Sequence, residues 1–186
     1  MKNLVFILIL VTNFTMNSQE KIPYSEIPTA SNEYTPGTTA SRLIDGLGFR
    51  YYWTTEGLKE KDLVFKPNAA ARSSEETIDH ILGLSQVILN ATLKVKNGQQ
   101  QPKMTFVEKR KKTLENLHQA SEILRVSNDI SQYKMIFGAK ELPFWNVING
   151  PIADAIWHVG QVVSFRRSSG NPINPKINHL SGTIKE

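Results

Sequence analysis

The sequence predicts an all-α protein, a four-helix bundle, and three observations support this fold class. Apolar residues recur at the three- and four-residue steps of an amphipathic helix in four separate segments. Two of these segments open on a capping box, in which a Ser or Thr and a Glu three positions later satisfy free amides. No segment alternates apolar and polar residues convincingly enough to predict a strand. Four amphipathic helices in one chain favour a bundle.

Length and composition fit one domain with short tails. The chain has 186 residues, enough to bury a core, and its 40% hydrophobic and 21% charged residues are ordinary for a globular protein. We expect a signal peptide at residues 1–18 and an extended lead-in at 19–37. The bundle should occupy residues 38–172, followed by a C-terminal tail at 173–186.

The first segment has the pattern of a secretory signal. Lys2 precedes an unbroken apolar run from Leu4 to Val11, and polar residues follow. The run is shorter than the about 20 apolar residues that span a bilayer, so we expect cleavage near Ser18 and no stable membrane insertion afterwards. The mature protein is then exported, to a periplasmic or extracellular compartment. Because the chain has no cysteine, lipid anchoring, disulfides and thiolate ligands are excluded.

The charge pattern does not predict a nucleic-acid partner. The formal net charge is only +5, and the densest basic cluster, residues 109–112, lies inside a predicted helix between Glu108 and Glu115. No aromatic residue is interleaved with this cluster to stack on bases. A solvated helix face is therefore the favoured interpretation.

The first two helices follow from spacing and capping. The first begins near Thr38 and extends for about five turns, and Gly57 with the charged residues 59–62 marks its exit. Its buried stripe comprises Leu43, Leu47, Tyr51 and Leu58. A loop leads to the capping box of Ser73 and Glu76, which opens the second helix. The buried stripe of that helix comprises Ile78, Ile81 or Leu82, Ser85 and Ile88.

The last two helices flank a segment that the sequence leaves undecided. The capping box of Thr105 and Glu108 opens the third helix, which ends near Ser127. Its inward residues are Val107, Leu114, Leu117, Ser121 and Leu124. Residues 128–143 fit a strand, a loop or a helical turn. Pro151 suits the first turn of the fourth helix, whose inward residues are Ile152, Ile156, Val159, Val163 and Phe165.

The fourth helix carries the most specific polar pattern. Asp154, His158 and Gln161 occupy positions i, i+4 and i+7 and share one face. A carboxylate and an imidazole at this spacing can form half of a divalent metal site, although a helix ion pair has the same spacing. His80 lies beside the buried stripe of the second helix, so the bundle would let it face Asp154 and His158. These three residues are the predicted metal ligands.

Other polar and aromatic residues receive more ordinary interpretations. Gln161 is expected to support a ligand through a hydrogen bond, and Gly160 to permit close helix packing. Trp157, like Trp145, either lines a pocket or belongs to the core. His118 and His179 are interpreted as structural or solvent-facing, and Arg166 and Arg167 as an anion site or as partners of the helix dipole.

Two segments resemble the DinB-like family. TTEGLKEKDLVFKPNAAARSSEETIDHILGL, residues 54–84, is similar to the first half of those proteins, where a Leu-x-Phe-x-Pro stretch precedes a metal-binding histidine. ADAIWHVGQVVSFRRSSGNP, residues 153–172, looks like their fourth-helix signature, a histidine followed by x-Gly-Gln and an arginine-bearing tail. The likeness extends from Ala40 to Pro172.

The resemblance implies a four-helix bundle that holds nickel or zinc through three histidines at its open end. His80 matches the ligand of the second helix and His158 the later ligand of the fourth. Asp154 stands where the family usually has its other histidine. A face of two histidines and one carboxylate remains competent for zinc, nickel or iron.

Two functions remain open. One is a metal-dependent hydrolase or transferase acting on an unknown small molecule. The other is a non-catalytic binding or structural bundle, for which the replacement of a histidine by Asp154 is the argument. A homodimer is compatible with either function, because helix faces pair readily.

Overall fold

The computed structural model describes residues 22–100 and 102–185, so the predicted signal peptide lies outside the described residues. These residues form six α-helices, α1 (Pro36–Thr55), α2 (Glu60–Leu63), α3 (Ser74–Leu93), α4 (Phe106–Arg125), α5 (Phe144–Val147) and α6 (Ala153–Ser168). A π-helical turn, Ile148–Ile152, joins α5 to α6. The short strands are β1 (Lys96–Asn97), β2 (Lys134–Phe137), β3 (Lys140–Pro143), β4 (Ile177–Asn178) and β5 (Thr183–Ile184). The all-α prediction is confirmed.

The four long helices enclose the main core. Helix α1 packs against α4 and α6, and α3 packs against the same two helices. Large side chains with no exposed surface fill the space between them: Ile44, Leu47, Tyr51, Ile78, Ile81, Ile88, Leu114, Leu117 and Leu124. Burying each such side chain contributes about 1.5–3 kcal/mol, so this interior supplies much of the stability of the fold.

Local capping sets where the helices begin. Ser73 and Glu76 exchange hydrogen bonds at the start of α3, with Ser73 N donating to Glu76 Oε2 over 2.6 Å. Thr105 and Glu108 do the same at the start of α4. Both predicted capping boxes are confirmed. Helix α1 begins two residues earlier than Thr38, because Thr35 caps it and Pro36 fits its first turn.

Three residues predicted to face inward are exposed. Leu43, Val107 and Ile156 have 43%, 69% and 38% of their surface accessible. Spacing alone allows more than one register, and in α1 the adjacent Ile44 is the buried residue. The buried positions of α6 are Ala155, Val159, Val162 and Arg166.

The undecided segment contains a β-hairpin. Strands β2 and β3 are antiparallel, with Met135 opposite Leu142, and β1 joins β2 in parallel. Gly138 has a φ of 60° in the connecting turn, a backbone conformation that glycine adopts without strain. The strands have two or four residues, too few to show an alternating pattern in the sequence.

The lead-in and the tail both pack against the helices. Tyr24 is buried over Gly48, where an added Cβ would lie 2.4 Å from the tyrosine ring. Ile27 N donates to Gly182 O over 2.9 Å, which joins the lead-in to the hairpin of β4 and β5. Among the described residues, no helix is both long enough and apolar enough to cross a membrane.

Candidate metal centre

His80 lies near the beginning of α3, on the side that faces α6. The capping box at Ser73 fixes the start of this helix, and Ile78 and Ile81 anchor its buried face with no exposed surface. His80 lies at the edge of that face, and 34% of its side chain is accessible. Its imidazole is therefore held by the core and still reaches solvent.

Asp154 is placed by the kink at the beginning of α6. Gly150 has a non-helical backbone (φ −93°, ψ −108°) and Pro151 follows it, so the chain changes direction before Ala153. The predicted helix entrance at Pro151 is thus a kinked π-helical turn, and regular helix begins at Ala153. Asp154 lies in the first turn, where the helix dipole favours a negative charge.

Asp154 bridges the two helices through both carboxylate oxygens. Its Oδ2 lies 3.1 Å from Nε2 of His80 on α3, and its Oδ1 lies 3.3 Å from Nε2 of His158 one turn further along α6. The two imidazole rings meet edge to face, with centroids 4.6 Å apart. The structure therefore brings together the three residues that the sequence predicted as ligands.

The contact with Gln161 indicates which nitrogen of His158 carries the proton. The Oε1 atom of Gln161 lies 2.7 Å from Nδ1 of His158, and because an amide oxygen only accepts, this contact assigns the proton of the neutral ring to Nδ1. In the neutral imidazole, Nε2 then presents a lone pair to a carboxylate oxygen that is also an acceptor. Two acceptors 3.3 Å apart require a cation between them, either a proton or a metal ion.

The donor set fits a divalent metal. Ligand atoms of His80, Asp154 and His158 all lie within 4.8 Å of one another and could hold an ion. Ligands about 2.0–2.2 Å from zinc lie about 3.0–3.5 Å from each other in tetrahedral or octahedral sites. Each nitrogen–oxygen distance, 3.1 Å from His80 to Oδ2 and 3.3 Å from His158 to Oδ1, falls in this range, the two ending at different oxygens of the same carboxylate. Gln161 supplies the outer hydrogen bond that metal-ligating histidines usually make.

The surroundings of the cluster are partly open. Trp157 lies nearly parallel to the ring of His158, with centroids 6.4 Å apart, and it is 70% exposed. Trp145 is 75% exposed, so the core interpretation of both tryptophans is wrong. On α3, Glu76 lies one turn before His80 and pairs with Lys66 over 3.0 Å.

Two further expectations about α6 need correction. Gly160 is exposed, and an added Cβ would meet nothing within 4 Å, so it does not serve helix packing among the residues that the structure describes. Arg166 is 3% exposed and donates to the carbonyls of Trp53, Thr54 and Glu56 at the end of α1. Sequence reasoning missed this role because α1 and α6 are distant in the chain.

The remaining histidines lie away from the cluster. His118 is exposed near the ring of Tyr24, with centroids 5.8 Å apart, and His179 contacts Phe49 at 6.0 Å. Burial, followed by the nearby Arg50, lowers the pKa of His179. Both positions agree with the structural or solvent-facing interpretation.

No protein-family model, no curated protein and no solved structure matches this chain.

Proposed function

We propose that this protein is an exported, DinB-like four-helix bundle that binds a divalent metal through His80, Asp154 and His158. We further propose that the metal serves a hydrolase or transferase reaction on a small molecule. The observation that carries the proposal is the pair of facing acceptors, His158 Nε2 and Asp154 Oδ1, held 3.3 Å apart by the contact of His158 with Gln161.

The packing of the long helices supports the bundle. Helices α1 and α3 share α4 and α6 as neighbours, which is the arrangement expected when four helices surround one core. The cluster spans α3 and α6 near the N-terminal ends of both helices. The DinB-like resemblance implies a metal at such an open end.

Each residue of the cluster has a distinct part in the proposed site. His80 and His158 supply neutral nitrogen ligands, and Asp154 supplies a negative oxygen ligand that offsets the metal charge. Gln161 holds the proton of His158 at Nδ1 and fixes the ring orientation. A metal with three protein ligands keeps open positions, where it can polarise a substrate or activate a water.

Hydrolysis is the better match for an exported protein. Thiol-dependent transfer relies on a low-molecular-weight thiol that is abundant in the cytosol, whereas water is available in every compartment. The chain has no cysteine, so the protein supplies no thiol of its own. We therefore place metal-assisted hydrolysis before group transfer.

Elemental analysis tests the metal site directly. The mature protein is exposed to nickel, zinc, iron and manganese, desalted, and analysed beside His158→Ala. Near-stoichiometric metal in the wild type and its loss in the variant are expected. His118→Ala is the matched control, because His118 is exposed outside the cluster, and this variant should retain the metal. Wild-type protein without metal, or equal metal in His158→Ala, would overturn the proposal.

A second function rests on the same contacts. Asp154 lies within 3.3 Å of both imidazoles. If these contacts hold a proton instead of a metal, the cluster is an ion pair that joins α3 to α6. The protein would then be a non-catalytic binding or structural bundle. In that case the metal analysis gives a negative result, and Asp154→Ala destabilises the protein equally with and without a chelator.

A further inference from the structure

A chain of side-chain amides connects α4, α3 and the small sheet. Asn116 Nδ2 donates to Gln86 Oε1 over 3.3 Å, and Gln86 Nε2 donates to Asn90 Oδ1 over 2.8 Å. Asn90 Nδ2 donates to Asn97 Oδ1 over 2.9 Å, and Asn97 Nδ2 donates to the backbone carbonyl of Ile136 over 3.2 Å. The carbonyl can only accept, so it fixes the orientation of every amide in the chain.

The amides retain unused hydrogen-bonding capacity. A carboxamide has two N–H donors and two acceptor positions, and Gln86, Asn90 and Asn97 each use one of each within the chain. Each therefore keeps one donor and one acceptor that no described residue engages. At the buried end, Oδ1 of Asn116 has no partner in the structure.

Three of these amides line a cleft of about 440 Å³. Its wall also includes Phe137, which is 43% exposed, and the partly buried Lys112. Lys112 forms no ion pair with any residue that the structure describes, and none of the residues lining the cleft is acidic. The exposed Lys96 also lines the cleft and has no ion-pair partner among the described residues, so the cleft is an aromatic and amide surface with two unneutralised positive charges, of which that of Lys112 is the more buried.

This cleft is separate from the metal cluster. Asn90 lies ten residues beyond His80, about 15 Å along α3 at the rise of an α-helix. Its lining residues come from α3, α4, the strands β1 and β2 and the loop that follows β1, where residues 98–100 and 102 line it, whereas the cluster lies between α3 and α6. A ligand in the cleft would not contact His80, Asp154 or His158.

We propose that the cleft binds a saccharide that carries a carboxylate. Sugar hydroxyls both donate and accept, which matches amides that each keep one donor and one acceptor. A simple anion only accepts hydrogen bonds, and a metal cation binds only acceptor atoms. Neither ligand would therefore use both the free donors and the free acceptors of the amides. The ring of Phe137 suits the apolar C–H face of a sugar, and Lys112 pairs with the carboxylate. The proposal does not depend on the metal site.

Nuclear magnetic resonance of the full mature protein tests the proposal. Tri-galacturonate is titrated while the side-chain NH2 signals of Gln86, Asn90 and Asn97 are followed, with maltotriose as the neutral saccharide and sulfate as the simple anion. We expect saturable shifts of these signals with tri-galacturonate. Lys112→Gln should weaken its binding about tenfold, the loss of one charge-assisted hydrogen bond, and Lys140→Gln, an exposed lysine outside the cleft, should not.

Several results would overturn the proposal. They are the absence of saturable shifts at millimolar tri-galacturonate, the same shifts with sulfate alone, and equal binding by wild type and Lys112→Gln. Equally tight binding of maltotriose would also contradict the role given to the carboxylate. His158→Ala should bind tri-galacturonate as the wild type does, so failure of the metal site and failure of this cleft are distinguished.

Discussion

Two aspartates join helices in this molecule, and their surroundings differ. Asp45 has no exposed surface and accepts hydrogen bonds from Tyr24 over 3.2 Å, from Ser121 over 2.6 Å and from Arg125 over 2.9 Å. The side chain of Asp154 is 36% exposed, and its ion-pair partners are two imidazoles. The carboxylate of Asp45 is buried among hydrogen-bond donors, and that of Asp154 is accessible to solvent.

The difference lies in the chemistry of the partners. Tyrosine, serine and arginine all donate hydrogen bonds at neutral pH, and the guanidinium also compensates the charge of Asp45. An imidazole donates only from a nitrogen that carries a proton, and otherwise it offers a lone pair. Asp45 therefore completes a structural pair, whereas the cluster of Asp154 can exchange a proton for a metal ion.

The largest expected effect on the free energy of unfolding comes from replacing the buried carboxylate of Asp45. Asp45→Asn removes the buried countercharge of Arg125, which keeps only the exposed Glu122 as its ion-pair partner among the described residues, and we expect the free energy of unfolding to fall by about 3 kcal/mol. Asp154→Asn should cost less than about 1 kcal/mol in metal-free protein, because its ion pairs are partly solvated. Urea denaturation measures both. Equal losses would show that the two carboxylates do not differ as described.

Metal addition should distinguish the two aspartates in the opposite way, because the stabilisation by metal depends on Asp154 and not on Asp45. A metal that binds only the folded protein stabilises it by about 2.7 kcal/mol at a hundred times its dissociation constant. We expect zinc or nickel to stabilise the wild type and Asp45→Asn, and to leave Asp154→Ala unchanged. Urea denaturation with metal and with chelator provides the measurement. Stabilisation that persists in Asp154→Ala would place the metal elsewhere.

A third carboxylate, Asp62, extends the comparison to pH. It accepts from Ser169 over 2.5 Å, from Asn171 over 2.7 Å and from Lys59 N over 2.9 Å. Burial, the largest single influence, raises the pKa of Asp62, but these hydrogen bonds together bring it below its ordinary value of 3.8. A lowered pKa in the folded state means that the unfolded chain binds the proton more tightly.

Asp62 should therefore stabilise the protein fully at neutral pH and progressively less below about pH 4. Asp62→Asn is expected to flatten this acid-dependent loss of stability. Urea denaturation at pH 7 and at successively lower pH measures the effect, with the exposed Glu60→Gln as control. If the stability of Asp62→Asn depends on pH as that of the wild type does, Asp62 does not contribute to the acid-dependent loss of stability.

The smallest expected effect concerns the open surface beside the cluster. Because Gly160 is exposed and an added Cβ meets nothing within 4 Å, Gly160→Ala should raise the free energy of unfolding by about 0.5–1 kcal/mol. Its metal content should be unchanged. Thermal denaturation and elemental analysis check both statements. Destabilisation would indicate that Gly160 packs closely against another surface.

Local chemistry explains which parts of the fold the sequence could predict. The capping boxes at Ser73 and Thr105 were predicted correctly, because each is formed by residues three positions apart. The stripe of α3 was correct for the same reason, with Ile78, Ile81 and Ile88 all buried. The hairpin of β2 and β3 was left open, since strands this short are stabilised by pairing with each other and show no period of their own.

The three predicted ligands illustrate the division between sequence and structure. The spacing of Asp154, His158 and Gln161 on one helix was sufficient to place them on one face, because helix geometry is local. That His80 reaches Asp154 over 3.1 Å depends on how α3 packs against α6. The same is true of the amide chain, whose members come from α4, α3 and β1.

The sequence by itself determined the helical class, the starts of α3 and α4, the buried stripe of α3 and the shared face of the ligands, since these depend on residues within one or two turns. Only the tertiary structure decided which residues of α1 and α6 are buried, as the exposure of Leu43 and Gly160 and the burial of Arg166 show. Burial and long-range hydrogen bonds arise when distant segments pack. The periodicity of one segment carries no information about the surface it meets.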